Sequence, residues 1–364
     1  MMKSLFDPCE LGTLTIKNRL ARSATWENMT TTDGHMTERL YDLYETLAKN
    51  DVGLIITGYA NIVAEERPNP GMMGIYDDSF INGYKELTTL IHTHDSRIIM
   101  QIAYGGTKTS YNVGNRIIYA PSSVPERSTG TCGTPMSTDD INYIVHAFGA
   151  AGKRAKDSGF DGVEIHGAHT YLINQFLSPY YNRRDDKYGG SLENRMRFLI
   201  EIYTEIRKQT GEDFPILVKL TASEFFDGGL TFAETRQICS ALEQLGVDGL
   251  EISGNIHAKG KSKAGQIVDG YELKKQGYFS EYGKIISQDV AIPVMTVGGL
   301  SDPEFIETML NESDITFFGL SRPLMTEPAL FARWKNGDWQ PAKCIRCSKC
   351  RTPEGNYCTV FNEK

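Results

Sequence analysis

The chain has 364 residues, 40% hydrophobic and 23% charged, with a formal charge of -8. That composition suits a globular protein with a large core and excludes default disorder; it also lacks the basic footprint of a nucleic-acid or anionic-membrane binder. No apolar run approaches bilayer length and the segment Met1 to Pro8 lacks the core of a signal peptide, so a cytoplasmic protein with a small-molecule substrate is expected.

In chain order, eight short β-rich apolar runs appear: Arg19–Ser23, Val52–Gly58, Ile98–Ala103, Gly162–His166, Ile216–Ala222, Gly249–Gly254, Pro293–Gly299 and Ile315–Ser321. Between them a 3.6-residue period marks helices at Thr37–Lys49, Ser79–His94, Thr138–Ser158, Leu192–Thr210, Thr231–Leu245, Tyr278–Asp289 and Asp302–Asn311. The runs are too uniformly apolar to have a wet face, which argues for a parallel sheet under helices. Eight such units predict an α/β fold, a closed (β/α)8 TIM barrel. One barrel over residues 1–338, followed by a Cys-rich tail at 339–364, is the simplest domain organisation. Chemistry is then expected at the C-terminal ends of the strands, walled by the long irregular stretch from Gly105 to Ser137.

The fourth run ends in the densest chemical signal, Gly162-Val-Glu-Ile-His166-Gly-Ala-His169-Thr-Tyr171-Leu172. Two imidazoles just past a strand can aim N–H groups at one oxygen, and a phenol beside them can deliver a proton. Taken alone, the same residues also suit a hydrogen-bonded core or a metal site.

The run His166 to Pro179, continuing through Asn182-Arg-Arg-Asp185, Tyr188-Gly-Gly-Ser191 and Glu193-Asn-Arg195, resembles the Old Yellow Enzyme family of FMN-dependent ene-reductases. The resemblance extends to Leu5-Phe-Asp-Pro8, Lys17-Asn-Arg19, Gln101, Lys219, Val297-Gly-Gly299 and Gly319-Leu-Ser-Arg322. It implies that His166 and His169 hold the oxygen of an activated alkene (an enone, enoate or nitroalkene). Flavin N5 then delivers hydride taken from NADH or NADPH, and Tyr171 supplies the proton. It further implies FMN contacts from Ser23, Ala24, Thr25, Tyr59 and Gln101. Phosphate contacts would come from Gly298, Gly299, Gly319 and Arg322. Lys219, in a wholly apolar run, needs an anion; the resemblance offers reduced flavin, and Glu251 is the internal alternative. Trp26 and Tyr104 stand where relatives carry other residues, which makes the substrate pocket individual to this chain.

Cys344, Cys347, Cys350 and Cys358 form a CxxCxxC…C pattern whose thiolates suit zinc or a [4Fe–4S] cluster. The segment resembles the cluster-binding stretch of 2,4-dienoyl-CoA reductase relatives, with a different spacing. Those relatives continue into further domains, and within the given sequence no electron partner for a cluster is expected, so zinc, a degenerate remnant or free thiols stay open beside it. A homo-oligomer is what relatives suggest. Two other functions stay open: a metal-dependent barrel hydrolase built on the histidine pair, and a flavin-binding protein without catalysis. The remaining histidines, His35, His92, His94, His146 and His257, are not spaced as further ligands.

Overall fold

The structure is a computed structural model that describes residues 2–254, 267–268, 271–272 and 275–361; His257 lies outside them. Eight strands form the barrel: β1 (Leu20–Arg22), β2 (Leu54–Ile56), β3 (Arg97–Ala103), β4 (Gly162–Gly167), β5 (Ile216–Thr221), β6 (Gly249–Ser253), β7 (Val294–Val297) and β8 (Phe317–Leu320). Each pairs in parallel with the next, and β8 pairs with β1 through Phe318 and Leu20, which closes the ring. The expected α/β fold with a (β/α)8 barrel is therefore the observed one.

Helices α1 (Glu38–Lys49), α2 (Ile81–His92), α3 (Thr138–Asp157), α4 (Leu192–Thr210), α5 (Phe232–Leu245), α6 (Ser280–Asp289) and α7 (Pro303–Glu312) cover the outside. Their starts follow local chemistry. Ser137 caps α3 and Thr231 caps α5, each in a reciprocal box with the residue three positions on, and Pro303 opens α7 where no N–H partner is needed. No described helix is long and apolar enough to cross a membrane.

A hairpin of Cys9–Leu11 and Leu14–Ile16 precedes the barrel and was not expected from the sequence. Its Cys9, Leu11 and Ile16 pack with Ala21, Leu54, Ile56, Ile99, Leu217, Met295 and Phe317 in a cluster separate from the main core. These barrel residues lie in β1, β2, β3, β5, β7 and β8, so the hairpin fills the barrel's N-terminal end. Beyond Leu330–Lys335 no regular element is present among the described residues. The tail begins with Trp339 and Ala342 packed half-buried on the core.

Candidate active site

The trio converges at the end of β4. His166 is 4% exposed and Tyr171 6%. Their rings stack at 4.4 Å between centroids, and His169 lies 5.3 Å from His166, edge to face. The turn that brings them together passes through His169 and Thr170 at φ 59° and 64°, a left-handed conformation that costs L-residues about 1–2 kcal/mol each. Hydrogen bonds hold it there: His169 N donates to Thr221 Oγ1 at 3.0 Å, Thr170 N to Asn174 Oδ1 at 2.7 Å, and Gln175 Nε2 to Thr170 O at 2.6 Å. Strain kept at one turn by three bonds is a mark of a functional constraint.

Each ring has a defined role in hydrogen bonding. His166 Nδ1 accepts from Ala168 N at 3.3 Å, which leaves Nε2 as its N–H donor. Burial, reinforced by the Lys219 charge, holds His166 well below the usual imidazole range, so it is neutral. His169 Nε2 meets Ser253 Oγ at 2.7 Å. Burial pushes the Tyr171 phenol well above its ordinary value, with Tyr59 and Glu66 adding to the effect. Tyr59 stands edge-on to Tyr171 at 5.6 Å, and Asn69 Nδ2 reaches both hydroxyls, at 2.8 Å to Tyr59 and 3.4 Å to Tyr171.

Below the trio, the barrel interior holds a buried polar network. Lys219 Nζ lies 2.6 Å from Glu251 Oε1 and 3.1 Å from Ser23 Oγ, and Ser23 Oγ donates to Glu251 Oε1 at 2.6 Å. The internal partner weighed for Lys219 is thus present. Gln101 Nε2 donates to Glu164 Oε2. Glu164 Oε1 and Glu251 Oε2 are buried and find no donor while both acids are ionised. A proton on Glu164 supplies one, and burial together with the Glu251 charge raises Glu164 well above the carboxylate range.

The remaining expected residues spread around the same end of the barrel. Thr25 Oγ1 bonds Ser321 Oγ at 2.7 Å, Ala24 packs against the hairpin cluster, and Gly319 sits against Ser23 and Met295. Gly298 and Gly299 have φ of 116° and 75°, where a side chain would be strained and would strike Tyr278 and Phe279. Arg322 opens a short helix after β8. Tyr104 is buried, with its ring 6.4 Å from that of Tyr119. The indole N–H of Trp26 donates to Pro70 O at 2.9 Å. A cavity of about 230 Å³ lies apart from these residues, lined by Arg22, Met29, Leu43, Leu47, Leu324 and Asn356.

These residues suit an FMN. The Gly298-Gly299 turn, packed beneath Tyr278 and Phe279, is bonded to Arg346, whose charge lies within range of Arg322. Arg346, from the tail, donates to Gly299 O at 2.6 Å and Ser301 Oγ at 2.9 Å. Burial shifts Arg346 below its ordinary value, with the Arg322 charge adding to the effect and Tyr278 and Cys344 opposing it. Two cations brought together favour an anion such as a phosphate between them. The sequence reading missed Arg346, as it missed Asn69, Ser253 and Glu164.

The cysteine tail does not form the expected metal centre. Cys344, Cys347 and Cys350 are half-buried and Cys358 is buried. Burial and the neighbouring Cys344, Cys358 and Cys347 raise the Cys350 thiol, so the sulfurs sense one another. Even so, no three His, Cys, Asp or Glu side chains among the described residues are gathered to hold a metal ion. Among the described residues no further His, Cys, Asp or Glu is gathered with the histidine pair into the three-ligand set of a barrel hydrolase.

The sequence profile of the NADH:flavin oxidoreductase / NADH oxidase family matches residues 4–339. The chain is 36% identical over 348 residues to an NADH oxidase of Thermoanaerobacter brockii, covering 95% of this chain and 53% of that protein. It is 30% identical over 384 residues to a cinnamate reductase of Clostridium sporogenes, covering 98% and 57%. A solved structure of 2-naphthoyl-CoA reductase with 2-naphthoyl-CoA superimposes with a TM-score of 0.87 at 25% identity, covering 94% and 54%. The chain spans about half the length of these relatives. By sequence and by its barrel, the chain belongs to the NADH:flavin oxidoreductase / NADH oxidase family, that of the Old Yellow Enzymes.

Proposed function

We propose that this chain reduces an activated C=C bond, of the enone, enoate or nitroalkene class. The observation that carries the reading is the buried trio: a neutral imidazole donor, a second imidazole, and a phenol kept protonated beside them. FMN, when bound, would supply hydride at N5 after taking it from NADH or NADPH.

The chain's own residues do the rest. His166 donates Nε2–H to the substrate oxygen, with His169 at its side, and drawing electron density there lowers the barrier to hydride addition at the far carbon. Tyr171 holds the proton for the other carbon. Gln101 and Lys219 face the flavin ring from the barrel interior, joined by Ser23, Ala24, Thr25 and Tyr59. Gly298, Gly299, Gly319 and Arg322 hold its phosphate, while Trp26 and Tyr104 shape the pocket. The barrel at 1–338 and the tail at 339–364 go with this reading as separate parts. The names of the cinnamate and 2-naphthoyl-CoA reductases support an unsaturated acyl substrate.

The test is an anaerobic absorbance spectrum of the chain reconstituted with FMN, recorded before and after NADH or NADPH and then after an alkene. Bleaching of the flavin bands by the nucleotide and their return with the alkene is the expected result. Failure to retain FMN sinks the proposal. Bound flavin that no alkene reoxidises points instead to a binding protein without catalysis.

A further inference from the structure

We propose that Arg351, carried to the barrel mouth by the C-terminal tail, binds a carboxylate of the substrate, so that the preferred alkene is an acid; this rests on the function proposed above. The tail is fixed on both sides of Arg351. Upstream, Arg346 is bonded to Gly299 and Ser301. Downstream, Asn28 Nδ2 donates to Thr352 O at 3.0 Å, Asn356 N to Glu27 O at 2.7 Å, and Asn356 Nδ2 to Trp26 O at 2.6 Å. Residues 351–356 are thereby tied to residues 26–28, the segment that follows β1 into the mouth.

Arg351 lies over the Trp26 indole, with its guanidinium carbon 5.6 Å from the ring centroid, and the Trp26 bond to Pro70 fixes that ring. Its charge reaches inward: it opposes the burial effect on the hydroxyls of both Tyr171 and Tyr59. The cation therefore sits within electrostatic range of the Tyr171 and Tyr59 hydroxyls.

Three buried acids of this region are already matched. Glu27 pairs with Arg22 at 2.9 Å, Glu66 with Arg116 at 3.2 Å, and Glu126 with Lys108 at 3.0 Å. No carboxylate among the described residues forms an ion pair with Arg351, whose guanidinium stands over the Trp26 ring. A surplus cation at one edge of a mouth, on a chain of net charge -8, is a complement for an anion. A guanidinium that makes a cation–π contact with an indole still has N–H groups to give, and a carboxylate accepts them in bidentate fashion. A neutral enone needs only the imidazole donor; a carboxylate needs this cation as well.

The experiment compares the FMN-reconstituted chain with its Arg351→Met and Arg351→Lys variants, using cinnamate, neutral cinnamaldehyde of the same carbon skeleton, and non-reactive 3-phenylpropionate. Arg351→Met should raise KM for cinnamate and Kd for 3-phenylpropionate about tenfold and leave KM for cinnamaldehyde unchanged, while any change in kcat from the lost charge near Tyr171 is shared by acid and aldehyde. Arg351→Lys should fall between. Equal effects on the two KM values, or an unchanged Kd for 3-phenylpropionate by calorimetry, overturn the inference. So does failure of the parent chain to bind 3-phenylpropionate. A parent that reduces neither alkene overturns the proposed function instead, and calorimetry still decides the role of Arg351.

Discussion

Tyr171 is kept as a phenol by burial and by the ring of Tyr59 beside it, which is the state a proton donor requires. Tyr171→Phe keeps the ring stack on His166 and removes only the proton. We expect flavin reduction by NAD(P)H to survive while alkene reduction slows by about 10²-fold or more, read in separate half-reactions by stopped flow. Lys219 answers to a different cost. Its ammonium and Glu251 are both buried, so Lys219→Met strands a carboxylate and should destabilise the fold by about 3–5 kcal/mol. Adding Glu251→Gln should recover most of that loss in a denaturant titration; no recovery would mean that the pair is not what sets the stability.

At the scale of elements, the eight strands and seven covering helices could be read in advance because each announces itself by a repeated local pattern. Buried parallel strands are apolar on both faces, and helices carry a stripe with caps. The N-terminal hairpin gave no such signal: its strands are three residues each, too short for a period to show. Yet it fills the barrel end, where a β-carbon on Gly249 would lie 2.8 Å from Leu11 Cδ1. Leu11→Ala should cost about 2–5 kcal/mol by chemical denaturation, as for a fully packed core position. In the site, His166, His169, Tyr171 and Lys219 stood out because polar groups in apolar runs demand an explanation. Glu164 met the same criterion and was passed over as part of the strand. Asn69, Arg346 and Arg351 were not legible, because they reach the mouth through irregular chain whose path is set by distant contacts.

Across the whole molecule, the buried ionisable groups make stability depend on pH in opposing directions. The folded state keeps His166 neutral, so below about pH 6.5 the unfolded chain takes up a proton that the folded one refuses, and stability falls. Glu164 holds a proton in the folded state that an unfolded chain releases near the ordinary value of 4.5, so its contribution declines as pH rises above that value. The window from about pH 6.5 to 8.5 is free of the His166 effect. For as long as the folded acid keeps its proton there, Glu164→Gln, which copies the protonated acid, should gain stability over the parent as pH rises, by at most about 1.4 kcal/mol per pH unit. Thermal melts at both ends of the window check this; a constant difference would place the shared proton elsewhere.

The hairpin that fills the barrel's N-terminal end leaves one open end to the barrel, because the other is packed with Leu11, Ile16 and Phe317. If the chain acts as proposed, hydride donor and alkene both use the opening above His166 and Tyr171. On the proposed function they occupy it in alternation, the first product leaving before the second reactant enters. Initial rates measured over a grid of NAD(P)H and alkene concentrations should then give parallel double-reciprocal lines, with each reactant inhibiting competitively at high concentration. Intersecting lines would require the two to be bound together.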